Sequence, residues 1–230
     1  MEELVMSQGF PNSAVLKMLV IDDHELILDG TINVLQRQYP LAEIFMAQTA
    51  QMAWIQVEKY QPNLVVMDLS IPETSGMTAQ VDTGIQLLKN LMKEYPTLNL
   101  VVQSTYTRSL VRIRHDIDVH KAGFTVADKS LSSKEMLTRV EWALQGLTHT
   151  KDIKAIQIGL EVKPDWLTVL NLAFGQGLQD KMIAERMKVS ERMVRHYWTK
   201  VQDVLGVYPE EGKNIRIQTE MRAREEGLID

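Results

Sequence analysis

The sequence predicts an α/β chain: a doubly wound, five-stranded parallel sheet, followed by a small all-α unit. Three observations carry this. From residue 15 to about 146, short apolar runs alternate with helical patterns, as in strand–helix–strand crossover units whose parallel sheet is covered on both faces. Pro40, Pro62 and Pro96 stand just before the second, third and fourth apolar runs, where proline ends the preceding helix. After about residue 147 the strand signal stops and only helical periodicity remains.

In chain order, the apolar runs place strands at 16–21, 43–47, 64–67, 98–102 and 124–126. Helical patterns fill 25–38, 49–60, 83–95, 108–121 and 133–146 between and after them. Pro164 then suits the first turn of a helix, and helices are expected at 164–174, 179–187, 190–205 and 213–226, punctuated by Gly175, Gly177 and Gly206. The expected division is an N-terminal extension at 1–13, an α/β domain at 14–147, a linker at 148–163 and a helical domain at 164–230.

Composition narrows the function. There is no cysteine, which excludes disulfides, thiolate metal sites, cysteine nucleophiles and zinc fingers, and makes a reducing cytoplasm the expected compartment. The apolar runs are far shorter than a membrane span, and the N-terminus opens on Glu2-Glu3 where a secretory signal would be basic. No membrane association is expected. The net charge of −5 is uneven: residues 1–150 hold 12 Lys+Arg against 17 Asp+Glu, whereas residues 151–230 hold 13 of each. The acidity thus belongs to the α/β part, and the neutral remainder is free to present a local basic face.

Asp22 and Asp23 directly follow the first strand, and Asp68 follows the third. Open parallel sheets bind ligands beyond the carboxyl ends of their strands, at the point where strand order reverses. The fourth strand runs toward Ser104-Thr105 and the fifth toward Asp128-Lys129, adding a hydroxyl and an ammonium to the same edge. Alone, an Asp-Asp pair after a strand reads as a helix cap. Three carboxylates together need a cation, and hard oxygen ligands favour Mg2+. With a cation present, a carboxylate oxygen can attack a phosphoryl donor to give an aspartyl phosphate.

Val20-Ile21-Asp22-Asp23-His24, Met67-Asp68-Leu69-Ser70-Ile71-Pro72, Ser104 and Lys129 together resemble the receiver domain of response regulators, over roughly residues 14–147. The resemblance implies Asp68 as phospho-acceptor, Asp22 and Asp23 as the Mg2+ pair, and the Ser70 carbonyl as a further metal ligand. It also implies Ser104 as the switch hydroxyl and Lys129 as the phosphate-binding ammonium. Two departures stand out: the loop at 73–83 is longer than the family pattern, and Val126 replaces a frequent aromatic residue. Tyr106 could substitute for that aromatic, or lie on the surface.

In the helical part, Ser190 suits an N-cap, and Val194, Trp198, Val201 and Leu205 form one apolar stripe. Arg192, His196, Thr199 and Asp203 fall opposite it, flanked by Arg195 and Lys200. Such a helix can enter a major groove. Residues 164–229 resemble the LuxR/NarL/FixJ type of helix-turn-helix through Gly175-Gln176-Gly177, Lys181 to Met187, Val189-Ser190, Val194-Arg195, Leu205-Gly206-Val207 and Glu226-Gly227-Leu228-Ile229. The resemblance implies base reading by Arg195, His196 and Thr199, with Lys200 and Arg192 on phosphate.

The expected function is a two-component response regulator. A sensor histidine kinase phosphorylates Asp68, and this controls binding to double-stranded DNA, as a homodimer when active. No enzymatic activity is expected beyond self-phosphorylation from phosphodonors and self-dephosphorylation. The alternatives are a phosphorylation-dependent adaptor whose helix-turn-helix binds protein, and a metal-dependent phosphohydrolase. The charge division further suggests that the acidic domain contacts the basic helix face and restrains it.

Overall fold

The computed structural model describes residues 15–150 and 163–229; the expected extension at 1–13 and most of the expected linker, 151–162, lie outside the described residues. The α/β part runs β1 (Lys17–Ile21), α1 (Glu25–Gln38), β2 (Glu43–Ala47), α2 (Ala50–Tyr60), β3 (Leu64–Met67), α3 (Val81–Glu94), β4 (Asn99–Gln103), α4 (Arg114–Val119), β5 (Phe124–Ala127), α5 (Ser133–Leu144) and β6 (Thr148–His149). All strands are parallel in the order β2-β1-β3-β4-β5-β6. The chain leaves β1 toward β2 and returns to the other side of β1 as β3, so the strand order reverses between β1 and β3.

Both faces of the sheet are buried, which is why its strands read as continuous apolar runs. Met18, Val20, Leu64, Val66 and Val101 pack with α1 and α5 on one face. Leu19, Ile21, Val65, Met67, Leu100 and Val102 pack with α2 and α3 on the other, in a cluster that continues into the C-terminal helices. Gly84 brings α3 against the segment after β3: a Cβ there would lie 2.0 Å from the Leu69 carbonyl oxygen.

Three details differ from the sequence reading. The sheet gains a sixth strand, because Gly146 takes φ +76 after α5 and turns Thr148 and His149, expected to open the linker, alongside Phe124 and Thr125. The helix expected at 108–121 is instead a 3-10 segment, Thr107–Ile113, followed by the short α4. β-Branched Thr107, Val111 and Ile113 weaken the α-helical alternative, and Ser109 Oγ holds the Tyr106 carbonyl at 2.6 Å. The long loop after β3 is folded onto α2. Gln80 N–H donates to the Ile71 carbonyl at 3.1 Å and closes it, while the Pro72 and Glu73 carbonyls accept Ala50 and Gln51 N–H at 3.0 and 3.1 Å. With Thr49 Oγ1 accepting Met52 N–H, these bonds satisfy donors that a helix start leaves open.

The C-terminal part holds α6 (Pro164–Leu170), a π turn (Asn171–Gly175), α7 (Asp180–Met187), α8 (Glu191–Leu205) and α9 (Ile215–Glu225). Ser190 caps α8 by accepting Met193 N–H at 3.2 Å. Val194, Trp198, Val201 and Leu205 are buried, as the stripe predicts. Trp198 donates its indole N–H to Asp180 at 3.0 Å, meets Phe174 edge-on and carries the Arg216 guanidinium 3.5 Å above its ring. Arg216 in turn grips both carboxylate oxygens of Asp180 at 3.0 and 2.9 Å. One carboxylate thus joins α7, α8 and α9.

Candidate functional site

β1 and β3 deliver their carboxylates to one point, where the Asp68 backbone N–H donates to the Ile21 carbonyl at 2.8 Å. Asp22 and Asp68 are only 3% and 4% exposed. Buried carboxylates need compensation, and Lys129, from the turn after β5, provides it: its Nζ stands 2.7 Å from an oxygen of each. Burial alone would lower the Lys129 pKa, but the hydrogen bonds and charges of Asp22 and Asp68 together outweigh it and hold it above the ordinary lysine value. The other Asp68 oxygen accepts Leu69 N–H at 2.7 Å.

One ligand atom from each of Asp22, Asp23, His24 and Asp68 lies within 4.8 Å of the others. Three of these donors are hard carboxylate oxygens, the set that suits Mg2+. The sequence reading missed His24. Its backbone N–H donates to Asp22 Oδ1 at 2.9 Å, and its ring Nδ1 lies 2.8 Å from Asp23 Oδ1. The two-residue spacing that closes a turn on an aspartate was the available signal.

Ser70 sits half-buried two residues past Asp68. Ser104, at the end of β4, is fully buried, and its Oγ accepts Tyr106 N–H at 3.2 Å. Val126 is fully buried in β5, so that position carries no aromatic ring. Tyr106 is half-buried and packs toward the end of α9.

On α8, Arg192, Arg195, His196 and Thr199 are exposed together, with Lys200 half-buried at their edge. Arg195 lies 3.8 Å from Glu191, and Lys200 3.5 Å from Asp203. Tyr197 turns back to Asp165 at 3.3 Å. Among the described residues the expected contact between this basic face and the acidic domain is not found: the face is exposed there, and the two parts meet instead where Arg108 Nη1 lies 3.0 Å from Glu226 Oε1.

Residues 18–141 match the response regulator receiver domain family. The chain belongs to that family. The regulator is 23% identical over 225 residues to the transcriptional regulatory protein YdfI of Bacillus subtilis, covering 93% of this chain and 97% of the relative. It is 25% identical over 206 residues to the DNA-binding transcriptional activator DevR/DosR of Mycobacterium tuberculosis, covering 84% and 89%. Its fold is shared with the RcsB response regulator–DNA complex at a TM-score of 0.61 and 17% identity, over 92% of this chain and 98% of the other. The likeness therefore spans both the sheet and the C-terminal helices. Among the described residues no helix is long and apolar enough to cross a membrane.

Proposed function

We propose that this regulator controls transcription through phosphorylation of Asp68, with residues 14–147 as receiver and 164–230 as DNA-binding domain. The observation that carries it is Lys129 bridging Asp22 and Asp68 at the strand-order reversal. An Asp68 carboxylate oxygen bonds to the phosphorus of a kinase phosphohistidine as the P–N bond breaks, and its electron pair returns to the imidazole. Lys129 then moves to a phosphoryl oxygen, and the Ser104 hydroxyl donates to another. Asp22, Asp23, Asp68 and the Ser70 carbonyl would hold Mg2+, which supplies charge neutralisation at the transferring group. Water attack on the aspartyl phosphate returns the free carboxylate, the only hydrolysis expected.

Purified protein with Mg2+ and a small phosphodonor should gain one acid-labile, base-labile phosphate, and Asp68→Asn should abolish it. Undiminished labelling of that variant removes Asp68 as the acceptor.

For DNA, α8 would lie in the major groove with Arg195, His196 and Thr199 at base edges and Arg192 and Lys200 at phosphates. Both Arg195 and Lys200 must leave their acidic neighbours to do so. Arg195→Ala should cost roughly 1–3 kcal/mol and relax preference at one base pair, whereas Lys200→Ala should weaken all sequences alike and reduce the salt slope by about one. Selection from random DNA, followed by salt titration, separates them. Loss of neither property would misplace the reading face, and no specific DNA binding at all would favour the adaptor. For pairing of two copies, Ile217 and Met221, 57% and 59% exposed and one turn apart on α9, offer an apolar surface. Ile215 is half-buried against the core.

A further inference from the structure

His24 stands at the start of α1, directly after the Asp22-Asp23 pair, yet its side chain makes no capping hydrogen bond to the helix. The ring turns to the carboxylates instead, with Nδ1 2.8 Å from Asp23 Oδ1 and 3.3 Å from Asp22 Oδ1. Only the longer of these approaches has hydrogen-bond geometry. Among the described residues Asp23 Oδ1 is a buried oxygen with no hydrogen-bond partner, an unfavourable state for a carboxylate. Lys129 does not relieve it, because its ammonium engages Asp22 and Asp68.

These separations suit a shared ion. Neighbouring ligands on one first-row divalent cation, each bonded at about 2.1 Å, stand roughly 3 Å apart, and 2.8 and 3.3 Å straddle that value. Asp68 offers a further oxygen within 4.8 Å of the other donors. A neutral imidazole with its proton on Nε2 presents the Nδ1 lone pair, and with the His24 side chain 63% exposed water can accept from that Nε2 N–H. The carboxylates therefore have one nitrogen donor beside them, and this bears on which ion they hold. Mg2+ seeks oxygen and gains little from imidazole, whereas Co2+, Ni2+ and Zn2+ bind it well.

We propose that His24 is a metal ligand through Nδ1 and sets the cation preference of this site. A borderline first-row ion such as Co2+ or Ni2+ takes the imidazole together with the carboxylates, while Mg2+ rests on oxygens alone. The proposal rests on Asp22, Asp23 and Asp68 being the cation site. His24 acts on the choice of ion, and the acceptor chemistry of Asp68 does not require it.

Co2+ is the probe, since the chain has no cysteine thiolate to compete for it. The full chain, His24→Ala, His24→Gln and Asp23→Asn are each titrated with Co2+ and with Mg2+ by calorimetry. Both His24 variants should bind Co2+ about tenfold or more weakly and keep their Mg2+ affinity, which also shows that the site remains folded. Asp23→Asn should weaken both ions. Proton spectra of the Co2+-loaded chain should contain a strongly shifted, exchangeable imidazole N–H signal that is missing from His24→Ala. Unchanged Co2+ affinity in the His24 variants, or an equal loss of Co2+ and Mg2+, overturns the proposal. Retention of the shifted signal in His24→Ala overturns it as well. Undiminished binding of both ions by Asp23→Asn overturns the carboxylate site itself, and the role of His24 with it.

Discussion

Replacing Lys129 with methionine is expected to destabilise the receiver by about 3–5 kcal/mol without divalent cation, the usual cost of breaking a buried ion pair by removing one partner. Methionine keeps most of the apolar stem and deletes the charge. Asp22 and Asp68 then face each other at 3% and 4% exposure with no cation between them. Urea unfolding at neutral pH measures the loss. Millimolar Mg2+ should restore part of it, and adding Asp22→Asn should restore part of it without metal. The pH dependence has a definite sign. A lysine held above its ordinary pKa stabilises the folded state fully below the unfolded value, and that stabilisation is lost as pH rises through the folded one. The unmodified chain should therefore lose this contribution only above about pH 10.4, and Lys129→Met should lack that alkaline step. Stability equal to that of the unmodified chain, with and without Mg2+, would contradict the ion cluster as a structural element.

Trp198→Ala should cost about 3–5 kcal/mol, the range for emptying a buried tryptophan site. That is comparable to the whole stability of so small a unit. Trp198 is 3% exposed, and its loss also strips the platform under Arg216 and the indole donor to Asp180. Calorimetry should show the helical part melting early while the receiver transition and Asp68 labelling persist; DNA binding disappears. Asp180→Ala should be milder, about 1–3 kcal/mol, because Asp180 and Arg216 are 29% and 37% exposed and water screens the pair. A Trp198→Ala protein that melts and binds DNA like the unmodified chain would remove the three-helix lock from the account.

The sequence by itself determined what repeats locally or sits at a strand end. Short continuous apolar runs, three of them preceded by a proline, specify strands buried on both faces of a parallel sheet. Asp22, Asp23 and Asp68 were legible as a site because each immediately follows such a strand, and the topology of a doubly wound sheet forces those ends together. The stripe Val194, Trp198, Val201, Leu205 likewise announces which face of α8 is buried. Tertiary structure decided what depends on a partner far along the chain or on one residue leaving the regular period. The left-handed Gly146 creates β6, a change in a single φ that no periodicity records. The loop after β3 reads as an insertion, but its carbonyls complete the start of α2, a hydrogen-bond debt visible only once both are placed. A solvated face and an ion-paired one look alike in sequence, so nothing near Arg108 names Glu226, and the charge division pointed to the wrong surface. Net charge sets long-range attraction, whereas docking is chosen by close approach and burial at specific positions, here Gly227 on Tyr106 and Ser109.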